Sequence, residues 1–526
     1  MAHRADASLN TRTVPVPLTP ESPHAVVIGA GFGGLAAAIR LLVRGYRVTV
    51  VDRLDQPGGR ARVFKQDGYT FDAGPTLITA PFLFDELWTL AGKHREDYVD
   101  VVPITPFYRI RFDDGAVFEY TGDAEAMRRE IARFNPADVD GYTRFLEKSE
   151  RIFEVGFTEL GHVPFGSVKT MAEIVPAMMA LESWRTVYGL VAKYIKDPRL
   201  RQVFSFHPLL VGGNPFSTTS IYTLIAFLER KWGVWYAMGG TGAMVQGMAD
   251  LIEDLGGTLR FGETVEEITV EGGRATGVRL DSGEHLAADI VVSNADAAWT
   301  YKHLIRPEHR TTWTDAKLDR AKLSMSLFVW YFGTDRPYDD IAHHTILLGP
   351  RYRGLLQDIF QKHTLADDFS LYLHRPTATD ASMAPEGHDC FYVLSPVPHL
   401  DSGDPWDEAQ NERYRNAIEQ YLERTVLPDL SKHVTASLTL NPKGFLNDYL
   451  SVKGAAFSFE PVLTQSAYFR PHNASEDVEH LYLVGAGTHP GAGMPGVLSS
   501  ARVLDTVVPD PDQLVRVMQP SEGVVI

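Results

Sequence analysis

The stretch His24-Ala-Val-Val-Ile-Gly29-Ala-Gly31-Phe-Gly33-Gly34-Leu-Ala-Ala-Ala-Ile-Arg-Leu-Leu-Val-Arg-Gly45-Tyr-Arg-Val-Thr-Val-Val-Asp52 decides the fold. An apolar run feeds a glycine turn, the turn opens an alanine-rich helix, and a second apolar run ends on an acid eighteen residues after Gly34. That order is a βαβ dinucleotide unit. Gly29 permits the tight turn, Gly31 lets backbone N–H groups approach a pyrophosphate at the helix N-terminus, and Gly34 lets helix and strand pack closely. Asp52 is placed to accept hydrogen bonds from a ribose diol. Downstream, Gln56-Pro57-Gly58-Gly59-Arg60 joins glycine backbone to a guanidinium that neutralises phosphate, and Phe71-Asp72-Ala73-Gly74-Pro75-Thr76 follows closely.

With 526 residues the chain exceeds one typical domain, so two packed domains are expected. A formal charge of −17 without any basic run argues against nucleic acid. Cys390 is the single cysteine, which excludes a disulfide framework and a thiolate metal cluster and suits a reducing compartment. Residues 1–23 hold Arg4, Arg12 and four prolines around no apolar core, and read as a disordered lead-in, neither a signal peptide nor a membrane span. The longest uncharged run, Val203 to Leu228, is broken by Gly212-Gly213-Asn214-Pro215, so no spanning helix is expected there.

Between Pro81 and about Arg230 the pattern is mostly helical, with a short strand pair near Phe107 to Tyr120. Within it, Val163 to Ile195 crowds methionines and aromatics among Lys169, Arg185 and Lys193. That composition suits a helix lying in a membrane interface, and equally a buried helix pair under a lid. Residues 239–300 return to α/β character: Gly239-Gly240-Thr241-Gly242 opens a helix to Leu255, and strands follow near Thr258 to Phe261, at Val265 and at Ile290 to Ser293. Ser326 to Phe332 and Cys390 to Ser395 are further strand candidates, and Asn411 to Leu427 is an amphipathic helix with Tyr414, Ile418, Tyr421 and Leu422 on one face. The chain closes on His480-Leu-Tyr-Leu-Val484 and a loop from Gly485 to Gly496. The Gly491 to Gly496 spacing is formally a second fingerprint, but no strand precedes it, so it reads as a loop whose helix N-terminus can face a bound cofactor.

The fingerprint, Pro57-Gly58-Gly59-Arg60 and the C-terminal glycine loop resemble the FAD-binding superfamily that includes amine oxidases. More narrowly, Gly212-Gly-Asn-Pro-Phe216, Trp232-Gly-Val234, Ser293-Asn-Ala-Asp296, His343-His344 with Gly349-Pro-Arg351, Ser395-Pro-Val-Pro-His399, Glu460-Pro461, Gln465-Ser466-Ala467 and Gly485-Ala-Gly-Thr-His-Pro490 resemble the bacterial and fungal phytoene desaturases, over residues 24 to about 505. The fold implied is α/β: a discontinuous Rossmann-like FAD-binding domain of glutathione-reductase type (24–85, 239–298 and 476–507), a helical membrane-associating region (86–238), an inserted α+β substrate domain (299–475) and a tail (508–526). The resemblance implies FAD held by Gly29, Gly31, Gly33, Gly34, Asp52, Arg53, Gly58, Gly59, Arg60, Gly74, Pro75 and Thr76. Val265 would lie near the adenine, and Gly485, Thr488, Met494 and Gly496 at the flavin.

It also implies 15-cis-phytoene as substrate, desaturated stepwise through phytofluene and ζ-carotene to neurosporene or lycopene. A C40 hydrocarbon has no polar handle, so an apolar tunnel must orient it, and it must be drawn directly from a bilayer. His489 is the first candidate for a polar group at the flavin and Glu460 the second, with a structural role for His489 equally compatible. No metal is expected, since His343-His344 and the scattered histidines lack ligand spacing. A quinone or O₂ is the expected electron acceptor, because no second nucleotide fingerprint provides for NAD. The expected location is cytoplasmic, peripheral on the inner face of the cell membrane; no motif sets the oligomeric state. An amine or protoporphyrinogen oxidase, a desaturase or isomerase of another carotenoid, and a non-enzymatic prenyl-chain carrier are the alternatives.

Overall fold

The computed structural model describes residues 15–518 other than 162 and 167. Its organising element is strand β1 (His24–Ile28), the middle of a five-stranded parallel sheet. Strand β2 (Arg47–Asp52) and Thr258–Phe261 extend it on one side, Ile290–Ser293 and Leu481–Leu483 on the other. Strands far apart in the chain therefore share one sheet. The side chains of β1 alternate between two cores: Ala25 and Val27 pack with helices, Val26 and Ile28 with a small antiparallel sheet (Val265–Glu271, Arg274–Leu280, His285–Ala287). Burial on both faces explains why the strand is continuously apolar.

Helix α1 (Phe32–Arg44) is buried from Phe32 through Val43, because Ala36, Ala37 and Ala38 let it approach the sheet. It ends at Gly45, whose φ of 100° lets its N–H reach the Leu41 and Leu42 carbonyls. Helices Thr241–Asp254 and Met494–Val507 flank it. The lead-in departs from expectation. From residue 15 it is docked, with the Val16 N–H donating to the Val43 carbonyl (3.2 Å) and the Pro23 carbonyl accepting from the Arg47 N–H (2.9 Å); residues 1–14 lie outside the described ones.

A second sheet has seven strands in the order Val434–Leu440, Ser326–Thr334, Asp389–Val397, Leu371–His374, His344–Leu348, Tyr108–Phe112, Val117–Tyr120. The last two come from the stretch read as part of the helical region, and Tyr108–Phe112 pairs parallel with His344–Leu348. Ser326–Thr334 is buried throughout: Val329 and Tyr331 face one core, Phe328, Trp330 and Phe332 the other. The second core is closed by helix Glu408–Thr425 through Tyr414, Ile418 and Leu422. The stretch Val163 to Ile195 splits in two: helix Val187–Tyr194 is tucked inward, whereas Val168–Ala180 leaves Val175 and Met179 exposed. Among the described residues no helix is long and apolar enough to cross a membrane.

Candidate functional site

A cavity of about 560 Å³ runs from the carboxyl end of the parallel sheet into the space beneath the second sheet. It opens where the strand order reverses, between β1 and Ile290–Ser293, which is where open α/β sheets bind ligands. Gly29, Gly31, Gly33, Asp52, Arg53, Gly58, Gly59, Arg60, Gly74, Pro75, Thr76, Val265, Gly485, His489, Met494 and Gly496 all lie on its wall. Gly34 does not; a Cβ there would sit 1.9 Å from the Gly29 carbonyl oxygen, so its role is close packing of helix on turn. Asn294, for which the sequence reading offered no role, braces the turn: a Cβ on Gly33 would meet its Oδ1 at 2.5 Å.

The electrostatics of this end suit a dinucleotide. Helix α1 starts at Gly31 with no side-chain cap and no acid in its first turn, so its leading N–H groups are left for a ligand. Helix Met494–Val507 starts at Gly493 in the same uncapped, acid-free way. Asp52 accepts from the Ala30 N–H (2.6 Å) and the Leu54 N–H (2.9 Å), and burial raises its pKa. Arg60 donates to the Ser451 hydroxyl (2.6 Å), its Nε has no partner among the described residues, and burial lowers its pKa. A buried guanidinium with an unmet N–H beside a glycine cradle fits a phosphate. Arg53 instead donates to the Asn447 and Asp448 carbonyls at the rim. These residues fit FAD.

Two of the expected residues stand off the wall. Thr488 is fully buried behind the wall, its Oγ1 2.8 Å from the Ser500 Oγ, because the loop turns that hydroxyl into its own core. Glu460 is also off the wall and accepts from the Ser217 hydroxyl (2.8 Å), with burial raising its pKa. His489 stays on the wall; its ring packs edge-on to Phe165 (4.5 Å) and its Nε2 lies 3.2 Å from the Leu160 carbonyl oxygen.

Beyond the cradle the wall turns apolar, with Phe206, Leu228, Met325, Leu327, Ile346 and Leu348 among its residues. Ile174 and Met178 of helix Val168–Ala180 line the same space, as do Leu463 and Ala467. Glu229, missed in the sequence, is a fully buried carboxylate on this wall, accepting from the Tyr108 hydroxyl (2.6 Å) and lying 3.1 Å from His207 Nε2. Thr76, Tyr372 and Tyr392 form a hydroxyl cluster on the wall, and His344 stands behind it. The adjacent histidines acquire a third: one ring nitrogen each of His343, His344 and His374 lies within 4.8 Å of the others. No sequence spacing signals this, because His374 arrives by cross-strand pairing with His344.

The flavin containing amine oxidoreductase family matches residues 32–503. The chain is 48% identical over 506 residues to a neurosporene-forming phytoene desaturase of Cereibacter sphaeroides, covering 95% of this chain and 98% of that one. Against lycopene-forming phytoene desaturases it is 49% identical in Pantoea ananas (90% and 97% covered) and 50% in Pseudescherichia vulneris (91% and 97%). Among solved structures, putrescine oxidase bound to putrescine superposes with a TM-score of 0.60 at 13% identity (94% and 100% covered). Cyclohexylamine oxidase from Brevibacterium oxydans gives 0.59 at 16% (95% and 100%). The two structures share the fold.

Proposed function

The chain belongs to the phytoene desaturases of the flavin containing amine oxidoreductase family, and from that membership we propose how its cavity works. It is an FAD-dependent oxidoreductase acting on CH–CH bonds, and it introduces double bonds stepwise into phytoene, through phytofluene and ζ-carotene, to neurosporene or lycopene. The observation that carries this reading is one continuous cavity with a dinucleotide cradle at one end and apolar walls beyond. A carrier that had lost its cofactor has no use for two uncapped helix ends and a buried Arg60 around such a cradle.

Bound FAD supplies the hydride acceptor that side chains cannot provide. The protein's share is placement. The α1 N-terminus, Arg60 and the Gly58-Gly59 backbone hold the pyrophosphate, Asp52 the ribose, Val265 the adenine side, and Gly74 to Thr76 with Gly485, Met494 and Gly496 the flavin end. The apolar walls orient a chain without polar handles and exclude water. Glu229, buried on this wall, is the carboxylate available to stabilise positive charge that develops on the carbon chain.

Transferring roughly forty carbons into water costs about 30 kcal/mol at ~0.8 kcal/mol per CH₂, so substrate arrives from lipid. Helix Val168–Ala180 suits that delivery: Ile174 and Met178 line the cavity while Val175 and Met179 are exposed, and Trp184 is 56% exposed with Arg185 over its ring. Leu463 and Phe469 add exposed apolar surface in a segment that also lines the cavity. This face rests on the inner surface of the cell membrane, and a membrane quinone or O₂ takes the electrons. The test is incubation with FAD and phytoene-loaded liposomes, followed by chromatography of the pigments. Neurosporene or lycopene is expected; unchanged phytoene beside a working control desaturase would overturn the function.

A further inference from the structure

Each double bond requires two hydrogens to leave neighbouring carbons, one as hydride and one as proton. The cofactor accounts for the hydride and both electrons. The proton must leave through a wall that is apolar nearly everywhere, and the hydroxyl cluster at Thr76 is an exception with somewhere to lead.

Tyr392 donates to the Gly74 carbonyl (3.1 Å), and Thr76 Oγ1 lies 2.9 Å from Tyr392 Oη and 3.2 Å from Tyr372 Oη. Tyr372 Oη is 2.7 Å from His344 Nδ1, which is 3.4 Å from His374 Nδ1. On the far side of that ring, His374 Nε2 faces Asp72 Oδ2 at 3.8 Å, and neither atom has a hydrogen-bond partner among the described residues. The path is rigid, since His374 is paired in register with His344 on one neighbouring strand and Tyr392 on the other. His344 and His374 are fully buried and Asp72 is 1% exposed.

We propose that Tyr372, His344, His374 and Asp72 form a proton relay, with Thr76 orienting Tyr372, that takes the proton released in a desaturation out of the cavity and leaves it on Asp72. The proposal rests on the desaturase reading. A C–H bond breaks heterolytically and its electron pair becomes the new π bond. The proton passes to the Tyr372 oxygen as Tyr372 passes its own to His344 Nδ1. His344, whose Nε2 has no partner among the described residues, passes that same Nδ1 proton on to His374 Nδ1, and His374, resting as the Nε2–H tautomer, gives its Nε2 proton to Asp72 Oδ2. No further oxidant enters.

The energetic slope runs the right way. Burial holds His344 well below the usual imidazole range and His374 at about 3, so neither keeps the proton. Burial pushes the Asp72 carboxyl up to about 7, so it does. Asp380, Cys390, Tyr236, Tyr372 and Tyr392 surround Asp72, and His343, Arg375 and Tyr108 face the imidazoles.

The test uses FAD-loaded protein and phytoene vesicles without oxygen, following loss of flavin absorbance in one turnover. Tyr372→Phe and His374→Gln should slow flavin reduction about 100-fold at unchanged FAD content, whereas rates within about threefold of the parent would overturn the relay. A solvent deuterium effect on the parent should vanish in Tyr372→Phe. Independently of turnover, ¹⁵N-histidine spectra of the unmutated protein should show His374 as the Nε2–H tautomer; the Nδ1–H tautomer, or one divalent metal ion per chain bound by the imidazoles, would overturn the proposal. If the parent itself fails to convert phytoene while a control desaturase does, the desaturase reading falls and the relay with it.

Discussion

Replacing Gly34 by alanine should weaken FAD binding without touching a residue on the cradle wall. The added Cβ falls 1.9 Å from the Gly29 carbonyl oxygen and 3.2 Å from the Asn294 Cβ. Neither obstacle is the far end of a flexible side chain. Restoring an ordinary contact moves α1 away from the Gly29 turn by about 1.5 Å, and overpacking of that kind costs about 1–3 kcal/mol. The displaced groups are the uncapped N–H donors at the start of α1. If the whole penalty falls on the bound state, FAD binds roughly 5- to 150-fold more weakly. Titrating the apoprotein with FAD and following the quenching of flavin fluorescence measures it. Gly166→Ala is the control, because nothing lies within 4 Å of a Cβ built there. A Gly34→Ala protein that holds FAD as tightly as the Gly166→Ala control would refute the packing argument.

Glu229→Gln keeps the shape of the wall but removes its charge; phytoene turnover should fall about tenfold or more with FAD content unchanged, as the loss of a charge-stabilising group does. Val175→Asp combined with Met179→Asp should abolish flotation with anionic vesicles and leave FAD binding intact, and unaltered flotation would exclude helix Val168–Ala180 as the docking face. Stability should rise with pH through the acid range. His343, His344, His374 (about 3) and His399 (about 4) are depressed mainly by burial, so below about 6.5 the unfolded chain binds more protons and the fold weakens as pH falls. Asp72, raised to about 7, opposes this between about 3.8 and 7, and Asp52, Asp296 and Glu460, also raised by burial, oppose it in the same sense. Urea midpoints between pH 5 and pH 7 report the balance, and His399→Phe should flatten the slope.

What was legible in the chain follows from distance along it. The unit from β1 to Asp52 is local: an apolar run gives way to an alanine helix and a glycine stop, and its glycines lie at the turn, on the wall or at the contact of helix with turn. The helix read at Asn411 to Leu427 lies three residues toward the N-terminus of its expected start, with Tyr414, Ile418 and Leu422 inward as the pattern requires. The misses are non-local. Tyr108–Phe112 reads as a strand within a helical neighbourhood, and only its pairing with His344–Leu348 joins it to the second sheet. Glu229 is one acid in a Leu-Glu-Arg-Lys run until Tyr108 arrives from another element to bond it. Thr488 reads as a flavin contact because it lies in the glycine loop, but its hydroxyl turns into the core of that loop, and Glu460, the second candidate for a polar group at the flavin, turns to the Ser217 hydroxyl and stands off the wall. The same reasoning explains why His343-His344 alone signals nothing. His343 precedes the strand that His344 opens and its ring meets that of His344 (4.4 Å between centroids), but the third imidazole comes from the next strand, and the register that supplies His374 is set by the hydrophobic faces of the whole sheet. A polar path through such a sheet is therefore specified by the apolar residues around it: a one-residue slip between Leu371–His374 and its neighbours would carry Leu373 out of its core to the cavity face and break the contact of His374 with Asp72 together.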